Sequence, residues 1–270
     1  MNLVAVTANL ACGGPGREKH LSAADAWADH IASTTVDLLF LQEIPSREWL
    51  VRFEGHGFTG YTPGPEVRSF RCRSAVVVRD RALSHRPLAI PTADYHGSYV
   101  AGARIDLGGI GSVACISVHA SPSELRLEDT RRWRGPAPVA RVGGGRHRGE
   151  LWDADYVLET LRRQQPLGPL LAAGDFNESR RWDETHRGET WGNEYFSAVA
   201  NAHLVDCLDR QWGREIATRG GHQLDHVLAD ETVAAHVTSA RVLDHMLDGS
   251  HVPSDHHPIE FVIEVSGLNT

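Results

Sequence analysis

The chain has 270 residues and a formal net charge of −8, so it is long enough to bury a large core within one domain. Its apolar fraction of 41% and charged fraction of 23% are those of globular proteins and exclude disordered and fibrous classes. The acidity argues against a protein that coats nucleic acid through general basicity, but it leaves room for a local basic patch or for a divalent cation held by carboxylates.

The first half of the chain alternates apolar strands with helical segments. Strands are predicted at 3–10 and 37–43, and the apolar spacing of 21–34 between them predicts a helix with Ser22 as its N-cap. Ser46 is predicted to cap a short helix that follows the second strand. Further strands are predicted at 73–79, 98–106 and 111–120.

The second half continues with a predicted helix at 148–164 and with strands at 169–177, 222–229 and 259–265. Neither an internal repeat nor a linker divides the sequence, so residues 1–270 are expected to form a single domain. Many strands, with helices interspersed among hairpin-like pairs, predict two packed sheets flanked by helices.

Targeting and cross-linking features are lacking in the sequence. The opening segment MNLVAVTANL has no basic region followed by a long apolar stretch, and no apolar run reaches membrane-spanning length. We therefore expect a cytoplasmic protein without a membrane span. The four cysteines form no CxxC pair and indicate neither a structural zinc site nor a disulfide framework.

Polar residues stand where the predicted apolar strands end. Strand ends on one side of a sandwich form a common rim, so carboxylates, amides and imidazoles delivered there could build one site. Taken singly, each of them is also what a turn requires, because short polar side chains favour turns. The residues concerned are Asn9, Glu43, His119, Asp175, Asn177, Asp225, Asp255 and His256.

The stretch GDFNES at 174–179 carries a carboxylate and an amide two positions apart. In extended backbone, Asp175 and Asn177 would face one way and Phe176 would face the core. Such hard oxygen ligands suit Mg²⁺ or the orientation of an attacking water. The competing interpretation is an Asx turn without a function.

The stretch SDHHPI at 254–259 places two histidines side by side. They could be two metal ligands, one acid–base catalyst with a neighbour, or surface residues. Neighbouring side chains in extended backbone point to opposite faces, so His256 and His257 are not expected to share one metal.

Six short motifs occur in one order along the chain: TANL, LFLQEI, SVHASPS, GDFN, QLDHVLA and SDHHPI. In that order they resemble the endonuclease/exonuclease/phosphatase superfamily, which includes deoxyribonuclease I, abasic-site endonucleases, sphingomyelinases and inositol polyphosphate 5-phosphatases. The resemblance spans residues 3–265. It implies a deoxyribonuclease I-like fold, a four-layer α/β/β/α sandwich of two mainly antiparallel sheets flanked by helices. It also implies a Mg²⁺-dependent hydrolase that acts on phosphate esters.

For the metal, the resemblance implies that Glu43 ligates Mg²⁺ with Asn9 beside it, and that Mn²⁺ would substitute. Asp255 would complete the carboxylates on the metal side. Mg²⁺ takes only one or two protein carboxylates and keeps several waters, so this small set of ligands is sufficient.

For the reaction, the resemblance implies that Asp175 orients or deprotonates the attacking water and that Asn177 holds the phosphate or the metal. His256 would act as general acid–base or stabilise the transition state, Asp225 would fix its tautomer, and His119 would contact a phosphate oxygen. Phosphoryl transfer needs charge neutralisation and in-line positioning more than covalent help, and these groups can supply both.

Two positions depart from the family pattern. His226 stands where Tyr or Trp is common. The glutamate that supports the histidine in deoxyribonuclease-like members has Glu66 as its nearest candidate here.

Two segments are candidates for binding the substrate. The first, 129–150, follows the His119 motif and reverses the local sign of charge; we interpret it as an anion-binding lid, with a solvated loop as the alternative. The second follows GDFN, where Trp182 and Trp191, together with Arg181, could stack a base or cover a small ligand, while Trp191 fits the start of a helix equally well. The arginines of the first segment are Arg131, Arg132, Arg134, Arg141, Arg146 and Arg148.

Three functions are compatible with these residues. The first is a metal-dependent phosphodiesterase that cuts DNA or RNA, and the second is a phosphatase or phosphodiesterase acting on a small phosphorylated metabolite, a nucleotide or a phospholipid headgroup. The third, an inactive binding module, is disfavoured because the set of site residues is intact. Net acidity mildly disfavours long nucleic acid, whose binding requires several neutralised phosphates. We expect a monomer and infer no protein partner.

Overall fold

The computed structural model describes residues 1–12, 17–63, 73–81, 83–90, 100–122, 152–187, 190–244, 246–247, 250–251 and 254–267. These residues form two six-stranded sheets packed face to face, with helices against the outer face of each sheet. The predicted four-layer α/β/β/α sandwich is thereby confirmed.

The first sheet gathers strands from both ends of the chain. It comprises β1 (Asn2–Asn9), β2 (Leu38–Ile44), β3 (Phe58–Tyr61), β4 (Arg73–Arg79), β11 (Val237–Val242) and β14 (Ile259–Glu264). Their order across the sheet is β11-β14-β1-β2-β4-β3. Among these neighbours β1 and β2 run parallel, and the other pairs are antiparallel.

The second sheet is built from the middle of the chain. It comprises β5 (His85–Pro87), β6 (Val100–Asp106), β7 (Ser112–His119), β8 (Leu170–Asp175), β9 (Leu204–Asp206) and β10 (Asp225–Asp230). The order is β5-β6-β7-β8-β10-β9, in which β7 and β8 are parallel and the other pairs antiparallel. A separate two-stranded ribbon joins β12 (Met246–Leu247) to β13 (Ser250–His251).

Helices cover both outer faces of the sandwich. The first sheet carries α1 (Arg17–Ser33) and α2 (Val51–Glu54), and the second carries α3 (Asp153–Gln164) and α5 (Trp191–Asn201). The connections contain α4 (Trp182–Arg187), α6 (Cys207–Trp212), α7 (Glu231–Ala234) and 3-10 turns at Glu48–Leu50, Gly108–Ile110 and Gln165–Leu167. None of the described helices combines the length and the apolar character needed to cross a lipid bilayer.

The central strands are apolar throughout because both of their faces are buried. In β2, Leu38 and Phe40 face the interior between the two sheets, whereas Leu39 and Leu41 belong to the outer cluster that contains Trp27 of α1. Such a strand cannot show the polar–apolar alternation of a half-exposed one.

The structure differs from the predicted elements mainly at helix starts and sheet edges. Because α1 begins at Arg17, Ser22 lies inside the helix and does not cap it, which corrects the prediction. Ser46 does cap its segment, since its Oγ accepts from Trp49 N over 3.2 Å, although that segment starts as a 3-10 turn. The strands β3, β5, β9 and β11 were not predicted, because short edge strands carry little apolar pattern.

The register of the second sheet places three of the predicted site residues in one row. His119, the last residue of β7, pairs with Asp175, the last residue of β8. Asp175 in turn pairs with Asp225 of the antiparallel strand β10. An imidazole and two carboxylates therefore lie side by side at one rim of the sandwich.

The first sheet brings further site residues to this rim. Asn9 ends β1 opposite Gln42 of β2, and Glu43 follows next along β2. The prediction that every site residue follows a strand was wrong for Asp225, which begins β10, and for His256, which precedes β14. Both still reach the rim, because β10 and β14 run antiparallel to their neighbours β8 and β1.

A buried polar cluster connects the two sheets beneath the rim. Gln42 Nε2 of β2 lies 3.2 Å from Thr7 Oγ1 of β1 and 2.9 Å from Ser117 Oγ of β7. Ser117 Oγ donates to the Leu41 carbonyl over 2.9 Å. Because buried polar groups are costly without partners, this cluster fixes how the two sheets are aligned.

Candidate active site

The centre of the site is a histidine–carboxylate pair. His256 Nδ1 donates to Asp225 Oδ2 over 2.8 Å, and both residues are buried. Thr218 Oγ1 accepts from the backbone N–H groups of Leu224 and Asp225, which holds the start of β10 in place. With Nδ1 committed to the carboxylate, the other ring nitrogen, Nε2, faces the site and lies 3.7 Å from Asp175 Oδ2.

Asp175 is held rigidly at the end of β8. Its Oδ2 accepts from Asn9 Nδ2 over 3.0 Å, and its Oδ1 accepts from the Asn177 backbone N–H over 2.9 Å. The preceding Gly174 has a φ of 148°, and a Cβ there would lie 2.0 Å from the Val118 carbonyl oxygen. A glycine is therefore required before Asp175 for β7 and β8 to pair so closely.

Asn177 lies in a turn, which corrects the predicted alternation in extended backbone. Its φ is 51°, in the left-handed region, and its N–H closes an Asx turn on Asp175. Its Nδ2 donates to the Ala120 carbonyl over 2.7 Å, so the amide is tied to the loop after β7. The expectation that Phe176 enters the core is confirmed. Asp175 and Asn177 therefore form an Asx turn and also lie at the candidate site, so the two interpretations of this stretch do not exclude each other.

Glu43, His119 and Asn9 surround the second side of Asp175. Asn9 Nδ2 donates to Glu43 Oε1 over 3.2 Å as well as to Asp175. His119 Nε2 lies 3.5 Å from Glu43 Oε1 and 3.7 Å from Asp175 Oδ2. The carbonyl oxygen of the Asn9 side chain accepts from Ala11 N over 2.9 Å, so Asn9 presents a donor to the carboxylates. Its role as a metal ligand stays a prediction.

Backbone strain is concentrated at this rim. Among the described non-glycine residues with positive φ, Ala11, Glu43 and Asn177 all lie at the site, with φ of 50°, 50° and 51°. Left-handed backbone in such residues is unfavourable and persists only where surrounding contacts impose it. The folded sandwich therefore holds these side chains in orientations that local preferences disfavour.

Charge and burial act against each other on the buried groups. Burial penalises the imidazolium of His256, but the carboxylates of Asp225 and Asp175 outweigh it and raise its pKa to about 9. Burial alone would raise the pKa of Asp225, yet the charge of His256 and its hydrogen bond hold that pKa below its usual value. Burial raises the pKa of Asp175 in spite of the charge of His256. His256 is accordingly an imidazolium at neutral pH.

Asp255 lies further out than the other carboxylates of the site. Its side chain is 58% exposed, and its Oδ2 pairs with Arg219 Nη2 over 2.6 Å, while its Oδ1 is 4.0 Å from His256 Nε2. Its assignment as a metal ligand stays a prediction. His257 turns its Nδ1 to the Leu243 carbonyl, which supports the interpretation that only the first histidine of the doublet joins the site. The sequence reasoning missed Arg219, although its position shortly before Asp225 was a usable signal.

The predicted substrate-binding residues fall into two groups. Arg181 is exposed and Trp182 is partly buried at the start of α4, beside the site. Trp191 is buried and opens α5, as its alternative interpretation held. Glu66 and the arginine-rich segment lie outside the described residues, and the latter comprises Arg131, Arg132, Arg134, Arg141, Arg146 and Arg148.

Two carboxylates of the site fit a hard divalent cation. Glu43 Oε1 and Asp175 Oδ2 both accept from Asn9 Nδ2, and both lie within 3.7 Å of His119 Nε2. Because two carboxylates held this close repel each other, a cation between them is favoured. Asp175, Asp225 and His256 also lie close enough to share an ion. An ion held there would have to break the hydrogen bond between His256 and Asp225, so Glu43 and Asp175 are the better candidates.

Comparison with known proteins adds a family match. The sequence model of the endonuclease/exonuclease/phosphatase family matches residues 6–256 of this chain. Among curated proteins, none matches the chain significantly in sequence.

Solved structures share the fold at low sequence identity. The 3′ phosphatase NExo from Neisseria, bound to a product DNA hairpin, has a TM-score of 0.64 and 15% identity over 97% of this chain and 99% of its own. The AP endonuclease LMAP from Leishmania major has a TM-score of 0.65 and 15% identity over 98% and 88%. The endonuclease domain of TRAS1, a telomere-specific non-LTR retrotransposon, has a TM-score of 0.59 and 16% identity over 98% and 99%. At these identities the likeness establishes the fold alone.

Proposed function

This chain belongs to the endonuclease/exonuclease/phosphatase family of phosphate-ester hydrolases, and on that premise we propose that it is a divalent-metal-dependent phosphodiesterase that cuts DNA or RNA. The observation that carries the proposal is the buried group of Asp175, Asp225 and His256. One nitrogen of the imidazole is bound by a carboxylate, and the other faces a second carboxylate over 3.7 Å. Such a group supplies a proton acceptor and a cationic donor in one water-poor place.

Asp175 is suited to take a proton from the attacking water. Burial raises its pKa in the metal-free protein, and a cation held beside it would oppose that shift while drawing the water toward this carboxylate. Hydrogen bonds from Asn9 and from the Asn177 backbone fix both of its oxygens. A carboxylate held in this way orients the water for in-line attack on phosphorus.

His256 is suited to stabilise the charge that develops on the phosphate. Its pKa of about 9 keeps Nε2 protonated at neutral pH, so this nitrogen donates and does not accept a proton. Asp225 holds Nδ1–H and so fixes the ring orientation. A preorganised imidazolium of this kind stabilises the transition state without reorganising during the reaction.

The remaining residues position the phosphate and its counter-charge. Asn177 and His119 flank Asp175 and would donate to phosphate oxygens. Glu43 and Asp175 would hold Mg²⁺ or Mn²⁺, and the cation, when bound, neutralises charge on the phosphate. Asn9 keeps the two carboxylates together through its amide group.

Nucleic acid is the proposed substrate class because the fold neighbours with stated substrates act on it or are named as nucleases. The alternative is a phosphatase or phosphodiesterase acting on a small phosphorylated molecule, and the description of the Neisseria neighbour as a 3′ phosphatase supports keeping it. A monomeric state and a cytoplasmic location, both predicted from the sequence, complete this proposal.

The proposal is tested by incubating the protein with plasmid DNA, RNA and a panel of phosphomonoesters in Mg²⁺ or Mn²⁺. We expect cleavage of nucleic acid that EDTA and Asp175→Asn each abolish. Turnover of monoesters without nucleic-acid cleavage would replace the proposal by its alternative. Full activity of His256→Ala on the true substrate would overturn the mechanism.

A further inference from the structure

A tight turn next to the catalytic histidine brings a cation and an aromatic ring together. Arg219 and His222 exchange two backbone hydrogen bonds, of 3.0 and 2.9 Å, around Gly220 and Gly221, whose φ values are 55° and 85°. Positive φ at both central residues defines a rigid two-residue turn that favours glycine. Directly opposed residues of such a pair project from the same face, so the side chains of Arg219 and His222 lie side by side.

The arginine of this turn reaches toward the catalytic centre. Arg219 Nη2 pairs with Asp255 Oδ2 over 2.6 Å, and the other oxygen of Asp255 is 4.0 Å from His256 Nε2. The Arg219 side chain is 43% exposed, so its guanidinium is both close to the reacting centre and open to a ligand. A planar guanidinium in this setting is the preferred partner of a phosphate.

The histidine of the turn packs its ring against α4. Its ring centroid is 4.8 Å from that of Trp182 and 5.3 Å from that of His186. Trp182 and His186 are themselves stacked at 4.2 Å with an interplanar angle of 21°. His186 is exposed, and Trp182 and His222 are partly exposed, so three aromatic rings form one surface beside the arginine. Trp191 and Phe196, which follow on α5, are buried by contrast.

The charges around these rings are balanced and not repulsive to an anion. Burial lowers the pKa of His222, and the charge of His186 lowers it further. Glu215 raises this pKa to a smaller extent, and Arg181 lowers it slightly. His222 is thus a neutral ring at neutral pH. Glu215 is itself bound by Ser179 Oγ at 3.0 Å and by the Arg180 backbone N–H, while Arg181 is close enough for its charge to act on His222.

We propose that the 182–222 surface, formed by Trp182, His186, His222 and Arg219, binds the nucleotide next to the scissile phosphate. The aromatic rings stack on its base, and Arg219 contacts its phosphate. This inference rests on the proposed function, since it assumes that the site cleaves a phosphodiester. It adds that the substrate must carry a base free to leave its neighbours, as in a single strand or a frayed end, and not a lipid or sugar group.

The test uses two single-stranded oligonucleotides with one cleavable bond, identical except that the base next to that bond is replaced by a tetrahydrofuran residue in one of them. For the unaltered protein we expect kcat/KM to favour the base-bearing strand by about 5- to 150-fold, the range of one base-stacking contact. Trp182→Ala should reduce this preference to near one, because it lowers kcat/KM for the base-bearing strand far more than kcat/KM for the baseless strand. His222→Ala should reduce it in part and serves as a second variant if Trp182→Ala fails to fold.

Arg219 is tested by salt dependence, which a merely structural role would not alter. Arg219→Ala should lower kcat/KM for both strands alike and reduce the slope of log(kcat/KM) against log[salt] by about 0.7, the value for one contact with a single-stranded phosphate. Arg219→Lys should restore the slope. The matched controls are Trp212→Ala and Arg241→Ala, which remove an exposed tryptophan bonded to Ala240 and an exposed arginine paired with Glu260.

The outcomes separate this inference from the proposed function. If the unaltered protein cleaves neither strand, the proposed function fails. If it cleaves both strands equally well, or if Trp182→Ala and Trp212→Ala affect the two strands alike, the 182–222 surface binds no base and only the inference fails.

Discussion

The imidazole of His256 draws its chemistry from three carboxylates placed around one ring. Asp225 binds Nδ1, while Asp175 and Asp255 lie 3.7 and 4.0 Å from Nε2. A single carboxylate would fix a tautomer, but several together also keep the ring protonated. Of the two adjacent histidines, His256 therefore joins this carboxylate group, whereas His257 Nδ1 lies against the Leu243 carbonyl.

Asp225→Asn should lower the pKa of His256, because it removes the strongest of the attractive charges and leaves the burial penalty in place. In the metal-free protein, a titration followed by NMR should find a pKa of about 9 for His256 in the unaltered chain and a clearly lower value in the variant. If the charged His256 ring no longer takes part in the reaction, kcat should fall by about 10²- to 10⁴-fold, the usual contribution of a general acid–base group. An unchanged titration would show that Asp225 does not set the charge of the ring.

His226, the departure from the family pattern, forms a second histidine–carboxylate pair behind the first. Its Nδ1 donates to Asp206 Oδ2 over 2.7 Å and its Nε2 donates to the Glu178 carbonyl over 2.9 Å. Although burial opposes it, Asp206 and the Glu178 carbonyl both favour the charged ring and raise the pKa of His226. By holding Glu178, this ring fixes the far end of the turn that begins at Asp175.

His226→Gln should destabilise the protein in a pH-dependent manner. Burial opposes the charge, but Asp206 raises the pKa of His226 above its ordinary value of 6.5. The stability from this ring is therefore fully present below pH of about 6.5 and is lost as the pH rises through the folded-state pKa. Breaking a buried pair typically costs about 3–5 kcal/mol. Urea unfolding should show the largest difference in the free energy of unfolding between variant and unaltered protein near pH 6, and a smaller difference at high pH. The control His56→Gln, at an exposed position, should show the same small difference at both pH values.

The parallel pair of β7 and β8 is the element on which the site depends most directly. It aligns His119 with Asp175, and Gly174 allows the close approach of the two strands. The equivalent parallel pair of the first sheet, β1 with β2, supplies Asn9 and Glu43. Four of the site residues thus lie at the carboxyl ends of two pairs of parallel strands.

Gly174→Ala should separate these strands. The added Cβ would meet the Val118 carbonyl oxygen at 2.0 Å, and a φ of 148° is strained for any residue with a side chain. Overpacking of this kind costs roughly 1–3 kcal/mol, or about 2–4 °C in Tm per kcal/mol for a chain of this size. Calorimetry should show the drop in Tm, and activity should fall with it. Gly55→Ala, where the nearest atom is 3.9 Å away, is the matched control and should leave both unchanged.

The long buried strands could be predicted from the sequence because uninterrupted apolar runs have few alternatives. The motif residues at their ends could be predicted to converge because parallel strands share a rim. The turn at Asn177 could not be predicted from alternation, since its left-handed backbone is imposed by contacts with Ala120 and Asp175. The Asp206–His226 pair could not be predicted either, because its members are distant in sequence and no local pattern signals them.

The two sheets each contribute one carboxylate to the proposed metal site. Glu43 belongs to the first sheet and Asp175 to the second, and the Gln42–Ser117 contact aligns the sheets beneath them. A cation held by both carboxylates would therefore link the two halves of the sandwich. Its binding free energy would add to the stability of the whole molecule.

Mg²⁺ should accordingly raise the Tm of the protein without any substrate. At a concentration 100 times its Kd, a ligand that binds only the folded state adds about 2.7 kcal/mol. Glu43→Gln should abolish the rise, because it removes one of the two charges that attract the cation, whereas Glu54→Gln at an exposed position should retain it. Thermal unfolding with and without EDTA provides the measurement. A rise that persists in Glu43→Gln would place the cation elsewhere.

The left-handed residues at the rim also bear on the order in which the molecule is assembled. Ala11, Glu43 and Asn177 adopt φ values that an isolated segment avoids, so nothing local prepares the site before both sheets have docked. Its residues lie as far apart in the chain as Asn9 and His256, and such distant contacts form late because long loops must close first. During refolding, enzymatic activity should consequently return after secondary structure has recovered. Activity in this protein would therefore report complete folding, and a partly assembled chain would be inert toward its substrate.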